Sequence, residues 1–322
     1  STGNYALTSF HSSSTQEAST SGDYYLNVYQ TGSTDSTAEV QFSIAYGNKD
    51  GLGAKLYNAN VTGKSPSSTV YGQYRSLVLG DEEIDFNFSG INSTKGIFAV
   101  TIDRARYKEK LMPGTFNLSL SSGSTVVKLT DDSNLATTVN FTDAGRIYEV
   151  ISGSNGTSHD GGTGLTTSNG SYGKFLPDIG LIIFNGQAIS GDFEGGFGGT
   201  LTRFVSGANE TSDGINNRAF YSLISGSTAA NQSFAVNAEE TVSSNFIFVR
   251  VRNAEFNYSN NPSNISGSGE LRHNSMVNNP QAYVTSVGLY NDTNDLVAIA
   301  KLSKPLLKDF TKEALIRIKL DY

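Results

Sequence analysis

The histidines are the first residues to test for chemistry, because imidazole exchanges protons near neutral pH. The chain has three, at His11, His159 and His273. A catalytic histidine needs a nucleophile and an orienting carboxylate close to it in space. Ser, Thr, Asp and Glu are so abundant here that the sequence singles out no such pair. We therefore predict hydrogen-bonding roles at a surface or interface for all three, and no catalytic residue.

Clustered carboxylates are the second candidates, either as general acids and bases or as ligands for a hard cation. The clusters are Asp81-Glu82-Glu83 and Asp131-Asp132, and residues 291–295 (NDTND) form a third oxygen-rich stretch. None has the spacing of an EF-hand loop. All lie beside predicted turns, where Asp and Asn are used for their bonds to the backbone. We predict turn formation at these positions, with no metal and no cofactor.

Several other function classes lack their sequence features. The chain contains no cysteine, so neither a disulfide nor a thiolate nucleophile is available. Residues 191–200 (GDFEGGFGGT) are rich in glycine but match no phosphate-binding motif, and we predict a surface loop. The net charge is −7 without a run of Lys or Arg, which argues against nucleic acid as a partner. No apolar run approaches the ~20 residues of a transmembrane helix, so no membrane partner is predicted.

Association surfaces are the functional feature that the composition favours. The 16 tyrosines recur in polar settings. Tyrosine is enriched at interfaces, because it offers contact area and a hydroxyl at small entropic cost. Half-buried strand faces also use tyrosine, so both interpretations stay open. The candidate interface residues are Tyr5, Phe10, Tyr24, Tyr71, Tyr74, Tyr258 and Tyr322.

The elements that position these residues are predicted to be mostly β-strands. Apolar and polar residues alternate over 38–46 and 316–322, and Ile247, Val249 and Val251 share the predicted core face of a strand over 245–252. The fold class is therefore mainly β, with antiparallel sandwich-like or barrel-like sheets and one to three short helices. Helices are predicted over 104–112 and 216–224. Further strands are predicted over 69–80, 84–88, 97–102, 115–120, 126–129, 146–152, 180–185, 282–290 and 296–301.

Composition also predicts how the chain is divided. Residues 152–174 are rich in Gly and Ser and contain one aliphatic residue, Leu165, which is typical of a linker or a long surface loop. We predict an N-terminal arm over 1–22, an N-terminal β region over 23–151 and a C-terminal β region over 175–322. The Ser/Thr-rich arm holds few apolar residues, so we expect it to become ordered on a neighbouring subunit.

Three parts of the chain resemble a known family. Residues 282–304 (AYVTSVGLYNDTNDLVAIAKLSK) with 305–322, residues 45–53 with 68–81, and residues 241–267 around SNFIFVRVRNAEFNYSNNP are similar to virion structural proteins of T4-like phages of marine cyanobacteria. The most distinctive motif is GLYNDTNDLVAIAKLSKP, over residues 288–305. The resemblance implies a component of the virion, an extracellular particle whose subunits are made in the host cytoplasm. It implies no catalytic residue and no cofactor.

The expected function is a non-enzymatic virion structural subunit, in the tail, baseplate or neck of a contractile-tailed phage. Its expected partners are other virion structural proteins and copies of itself, joined through strand edges and tyrosine-rich faces. The next candidate is a receptor- or glycan-binding appendage, with a host surface glycan held on Tyr172, Phe193 or Phe197. The remaining candidates are a capsid-associated decoration protein, a bacterial surface-layer or filament protein, and a depolymerase acting through Asp81 or Asp131.

Overall fold

The computed structural model describes residues 4–7, 10–12, 24–55, 64–89, 91–93, 95–122, 125–159, 161–165, 170–190, 215–226 and 234–321. The chain forms two compact units, unit 1 (Ser1–Glu240) and unit 2 (Thr241–Tyr322). The predicted division at residues 152–174 is therefore wrong. Strands on both sides of that stretch pair within one sheet of unit 1, and the division falls about 70 residues later, after Glu240.

The described elements are mostly strands, and all their pairings are antiparallel, which confirms the predicted fold class. Four helices are described, one more than the upper number predicted: α1 (Pro66–Leu79), α2 (Gly186–Ser190), α3 (Ile215–Ser225) and α4 (Ser275–Asn278). The strands are β1 (Asn4–Leu7), β2 (His11–Ser12), β3 (Tyr25–Tyr29), β4 (Val40–Asn48), β5 (Asn87–Phe88), β6 (Ile91–Ser93), β7 (Gly96–Ile102), β8 (Lys110–Leu111), β9 (Asn117–Ser122), β10 (Thr125–Asp131), β11 (Asn140–Thr142), β12 (Gly145–Ser154), β13 (Thr157–Ser158), β14 (Gly173–Leu176), β15 (Leu181–Asn185), β16 (Phe234–Glu239), β17 (Ser244–Val251), β18 (Ala282–Tyr290), β19 (Leu296–Lys308) and β20 (Ala314–Asp321).

The described residues of unit 1 form a 14-stranded sheet that curls round on itself. Its strand order is β1-β16-β9-β10-β12-β14-β15-β7-β4-β3-β2, with β11 and β13 paired to β12 and β8 paired to β16. Phe42 in β4 and Phe234 in β16 are separated in this order by β9, β10, β12, β14, β15 and β7. Their ring centroids are nevertheless 5.1 Å apart. Strands near the two ends of the sheet therefore face each other across a shared core.

The central strands β7 and β15 are buried on both faces, which divides the interior of unit 1 into two cores. Phe98 and Phe184 point into the core inside the curl, and Ile97 and Ile183 point into the core on the other side of the sheet. Helix α3 fills the first core, where the ring of Phe220 stacks on Phe98 at 4.7 Å. Helix α1 covers the second core. This double burial explains why both strands are continuous apolar runs without alternation.

Residues 69–80 form most of α1, so the strand predicted there is wrong. The hydroxyl of Ser65 accepts a hydrogen bond from the Ser68 N–H at 3.4 Å, and the Ser68 hydroxyl accepts one from the Ser65 N–H at 3.3 Å. Pro66 lies in the first turn, and Gly80 ends the helix with a left-handed φ of 67°. These start and stop signals outweigh the β propensity of the branched and aromatic residues between them.

The helix predicted over 104–112 is also wrong, whereas the one predicted over 216–224 is confirmed as α3. Within 104–112 there is only a 3-10 turn at Arg104–Arg106, followed by β8. The N–H groups of Leu111 and Met112 donate to the carbonyls of Pro177 and Asn237, at 2.9 and 2.8 Å. Because these donors pair with distant parts of the chain, the helical bonds that the local sequence favours do not form.

The arm and the Gly-rich stretch are both partly incorporated into the sheet of unit 1. Strand β1 pairs with β16, and β2 pairs with β3, so the expectation that the arm orders on a neighbouring subunit is wrong for these residues. The rest of the predicted arm lies outside the described residues. Strand β13 folds back on β12, and β14 starts before residue 174. The interpretation of 152–174 as a linker is therefore wrong, and a loop remains only between these strands.

Unit 2 contains two separate two-stranded ribbons among its described residues. Ribbon A consists of β17 and β20, and ribbon B consists of β18 and β19. The strands predicted over 282–290 and 296–301 are confirmed, and the turn between them is the predicted hairpin. Neither ribbon is extended by a third strand in the described part of unit 2.

Candidate interface site

Ribbon A has one buried face and one exposed face. The covered face contains the predicted core residues: Val251 is buried, Ile247 and Val249 are half-buried, and all three lie opposite buried residues of β20, so this prediction is confirmed. On the other face, Phe246 and Phe248 are exposed to solvent. A single chain therefore covers only half of this ribbon.

Cations flank the aromatic residues on the exposed face of ribbon A. The guanidinium of Arg317 lies 5.3 Å from the ring centroid of Phe246, a cation–π contact. Arg250 pairs with Glu313 at 2.7 Å, and Lys319 pairs with Asp321 at 2.8 Å. Since Arg250 and Lys319 already have anionic partners, the main surface left for another molecule is the apolar one.

Ribbon B exposes large apolar side chains although it is only two strands wide. Tyr290, Val297 and Ile299 are 63%, 67% and 62% exposed. Ile299 lies opposite Gly288 across the ribbon, and the opposite face of the same strands is half-buried. Scattered exposed apolar residues are ordinary, but these three are neighbours on one strip, which is typical of an interaction surface.

Gly288 keeps this strip flat. A Cβ atom at Gly288 would lie 2.9 Å from Cε2 of Tyr290 and 3.4 Å from Cδ1 of Leu296. The Tyr290 ring therefore lies against the glycine backbone, where a larger residue would displace it. A flat, apolar face allows another protein surface to approach at the ~10 Å spacing of packed sheets.

The turn at the end of ribbon B is held by its own polar side chains. The Asn291 Oδ1 atom accepts hydrogen bonds from the N–H groups of Thr293 and Asp295, at 3.1 and 2.7 Å. The Asp295 carboxylate accepts from the Thr293 hydroxyl at 2.6 Å and from the Asn291 amide at 3.2 Å. Hydrogen bonds from Thr293 and then Asn291 hold the pKa of Asp295 below its ordinary value. The residue types of this turn thus serve the backbone geometry.

Lys308, at the other end of ribbon B, is a fully buried cation. Its ammonium group donates to the carbonyl of Asn253 at 2.9 Å, to Oδ1 of Asn257 at 2.8 Å and to the carbonyl of Asp309 at 3.0 Å. All three donors of the ammonium are therefore used. The bonds to Asn253 and Asn257 fix the last residue of β19 to the segment that follows β17 in the chain.

The predicted carboxylate clusters are also bonded to the backbone. Asp131 is buried and accepts two hydrogen bonds from the Gly114 N–H, at 2.8 and 3.0 Å. Asp132 accepts from the Glu149 N–H at 2.9 Å, and burial raises the pKa of Asp132. Asp81 accepts from the N–H two residues further along, at 2.6 Å. Each carboxylate therefore stabilises a local turn or a strand end.

The three histidines lie on the surface and are not brought together. His11, His159 and His273 are all exposed and lie in separate parts of the chain. Among the described residues, no group of three or more His, Asp or Glu side chains is placed to hold a metal ion.

The predicted interface residues lie in different environments, and only some of them are exposed. Tyr71 is 1% exposed and packs edge-on against Phe86 in the second core, so its prediction as an interface residue is wrong. Its position in α1 turns it inward. Phe10 packs against Phe42, with ring centroids 6.1 Å apart. Tyr258, in unit 2, is 52% exposed. The side chain of Tyr5 and all of Tyr322 lie outside the described residues.

The structure brings Tyr24 and Tyr74 together. With Tyr25, they line a shallow pocket of about 330 Å³ between α1 and the sheet. The Tyr74 hydroxyl lies 3.2 Å from the hydroxyl of Thr101, so it already has a hydrogen-bond partner within the chain. This pocket is a small accessible surface on unit 1.

A second accessible feature of unit 1 is an acidic groove of about 350 Å³. Asp132, Glu149 and Lys174 form part of its wall, and the Lys174 ammonium pairs with Glu149 at 2.6 Å. Phe141 lines the groove and is 71% exposed. Tyr172 was predicted to be part of an aromatic platform for a glycan, but it is buried, so this prediction is wrong for Tyr172. The other two predicted platform residues, Phe193 and Phe197, lie outside the described residues.

Sequence reasoning did not single out Val297, Ile299 or Phe246 as interface residues. A signal was present, because the run LVAIA over 296–300 is apolar at both alternating sets of positions. A strand that is apolar on both faces is typically covered on both faces. In this two-stranded ribbon, the chain itself covers one face and leaves the other exposed.

Comparisons with known proteins place the chain in no family. No family model, no curated protein and no solved structure matches it. None of the helices in the described ranges has the length and apolar character needed to cross a bilayer.

Proposed function

We propose that this chain is a non-enzymatic structural subunit of a large protein assembly, the particle of a contractile-tailed phage, with a place in its tail, baseplate or neck. The observation that carries the proposal is the exposed apolar surface of unit 2. Both ribbons expose large apolar side chains, and each is only two strands wide. An isolated two-stranded ribbon is marginally stable in water. Covering its open face with another protein removes that apolar area from water, at about 25 cal/mol per Å².

The family resemblance supports a virion as the assembly. Its most distinctive motif, residues 288–305, lies within ribbon B, and residues 241–267 include the first strand of ribbon A. Two of the three parts that resemble virion structural proteins thus belong to the ribbons with open apolar faces, and the third, 45–53 with 68–81, lies in unit 1. The partners under this proposal are other virion structural proteins and copies of this chain.

Amine-reactive cross-linking of purified phage particles, read by mass spectrometry, tests this function. We expect the chain in the particles, with links to other proteins from the exposed lysines Lys301, Lys304 and Lys312 of unit 2. Lys128, an exposed lysine on β10 of unit 1, is the matched comparison and should give fewer such links. Purified particles that lack the chain would contradict the proposal.

A second candidate function, binding of a host surface glycan, is favoured by the groove of unit 1. The groove places an exposed aromatic ring, Phe141, beside hydrogen-bonding groups of Asp132, Asn140 and Lys174. An apolar platform with a few fixed polar groups is the usual construction of a small-ligand site. Glycan-array binding by the full chain that is lost in Phe141→Ala, and kept in the control Val126→Ala, would support it. An array without signal would remove this candidate.

A further inference from the structure

Ribbon B carries acidic residues in its turn and basic residues near the middle of β19. Asp292 and Asp295 lie in the turn, and Lys301 and Lys304 lie further along β19. Within the described parts of the chain, Asp292, Lys301 and Lys304 form no ion pair. Because a strand advances about 3.4 Å per residue, Asp295 and Lys301 are about 20 Å apart along the ribbon.

The exposed apolar strip lies between these acidic and basic residues. Val297 and Ile299 occupy alternate positions on β19, with Tyr290 beside them on β18. Along the ribbon the order is therefore acidic, apolar, basic. When a second copy of this surface is turned end to end and placed against the first, acidic residues face basic ones and the apolar strips meet. A two-fold axis between identical subunits requires this kind of self-complementary surface.

We propose that the exposed face of ribbon B packs against the same face of a second copy of this chain, across a two-fold axis that crosses the ribbon near Ala298. The inference rests on the proposed function and specifies its contact between copies. Val297 of one copy then lies against Ile299 of the other, and the basic residues of each copy face the acidic residues of its neighbour. If the two ribbons packed with their β19 strands pointing in the same direction, acidic residues would face acidic ones and basic residues would face basic ones, which is unfavourable.

The second copy fits this face better than a different protein, because the complementary pattern is already present in the ribbon. The flat surface at Gly288 allows the two faces to approach closely. The ribbon is about 30 Å long and about 10 Å wide, so one face offers roughly 300 Å², against about 800 Å² per partner in a standard interface. The contact is therefore a weak, reversible one, and other surfaces must complete the assembly.

Sedimentation equilibrium of the full chain over a concentration series tests the contact. We expect Ile299→Ser to raise the dissociation constant at least about tenfold, because each dimer loses two buried isoleucines. Leu315→Ser is the matched control: Leu315 is 69% exposed on ribbon A, and its replacement should leave the constant unchanged. Circular dichroism of each variant shows that it is folded.

Charge reversal tests the two-fold arrangement separately. Lys304→Glu and Asp292→Lys, which alter residues that face each other across an axis near Ala298, should each weaken association about tenfold at low salt, because the interface contains every charged pair twice. The double variant Lys304→Glu/Asp292→Lys should recover to within about threefold of the unaltered chain, since opposite charges face each other again. A double variant weaker than both single ones overturns the two-fold arrangement.

Two other outcomes separate this inference from the proposed function. If the chain self-associates but Ile299→Ser has no effect, the ribbon B contact is wrong, and assembly through another surface stands. If the chain is a monomer at every concentration, the contact between copies is overturned. Cross-links to other proteins in phage particles would still support the structural role.

Discussion

Replacing Lys308 by Met tests the interactions that hold ribbon B in place. Methionine keeps most of the length of the side chain but removes the ammonium, so three acceptors lose their donor: the Asn253 carbonyl, the Asn257 Oδ1 atom and the Asp309 carbonyl. A hydrogen bond to a charged group contributes about 1.5–3 kcal/mol, and part of this loss is offset because the ammonium no longer has to be buried. We expect a net loss of about 3–5 kcal/mol.

That loss is large for a unit of this size. At about 0.05–0.15 kcal/mol per residue, unit 2 has a total stability of about 4–12 kcal/mol. We therefore expect Lys308→Met to increase opening of unit 2 by roughly a hundredfold or more, since every 1.4 kcal/mol is a factor of ten. Native-state hydrogen exchange, resolved by peptide, measures this in β17–β20 while β7 and β15 report on unit 1.

The control for this experiment is Lys304→Met, four residues earlier in β19. Lys304 is exposed and has no ion pair among the described residues, so its replacement should leave exchange in unit 2 unchanged in dilute solution. If Lys308→Met exchanges within about threefold of the unaltered chain, the argument that its three bonds fix the ribbon is refuted.

Two further predictions concern unit 1. Ser65→Ala should lower the free energy of unfolding of unit 1 by about 1 kcal/mol in urea titrations, because α1 loses its N-cap and the 2.7 Å bond from Ser65 to the Gly51 carbonyl. The control Ser76→Ala, at an exposed position in the last turn of α1, should change it by less than about 0.5 kcal/mol. Equal effects of the two substitutions would contradict the capping argument. Burial acts to raise the pKa of Asp178, but hydrogen bonds from the Arg146 side chain and backbone outweigh it and hold this pKa below its ordinary value. The ionised Asp178 carboxylate therefore contributes stability above about pH 4, and this stability is lost as the pH falls through its folded-state pKa. Asp178→Asn should lower the free energy of unfolding at neutral pH, and the gap between variant and unaltered chain should narrow below about pH 4. A gap that stays constant in urea titrations across this pH range would contradict the prediction.

The fold class was predictable because many strands follow a two-residue period or form short apolar runs bounded by turns. Helix α1 was missed because propensity was weighed over its interior, although Ser65-Pro66 at one end and Gly80 at the other are a helix start and stop pair. The unit boundary was missed for a different reason. Residues 152–174 have the composition of a linker, but whether the strands on either side pair with each other depends on contacts distant in sequence.

The sequence predicted that the candidate site is an interface, but it did not identify most of the residues that form it. Association was expected from tyrosine, yet Tyr71 is a core residue, and the exposed apolar surfaces of unit 2 also include aliphatic and phenylalanine side chains such as Ile299 and Phe248. Sequence pattern shows which residues share a strand face. It does not show how many strands cover that face, and this number decides whether an apolar residue lies in a core or on an open surface.

Hydrogen exchange of the intact chain in dilute and in concentrated solution tests most directly whether the apolar faces of unit 2 are completed by other subunits. We expect peptides of β18 and β19 to become more protected as concentration rises, while peptides of β10, on unit 1, do not change. Identical exchange of both regions at all concentrations, from a chain that also forms no complex with other particle proteins, would contradict it.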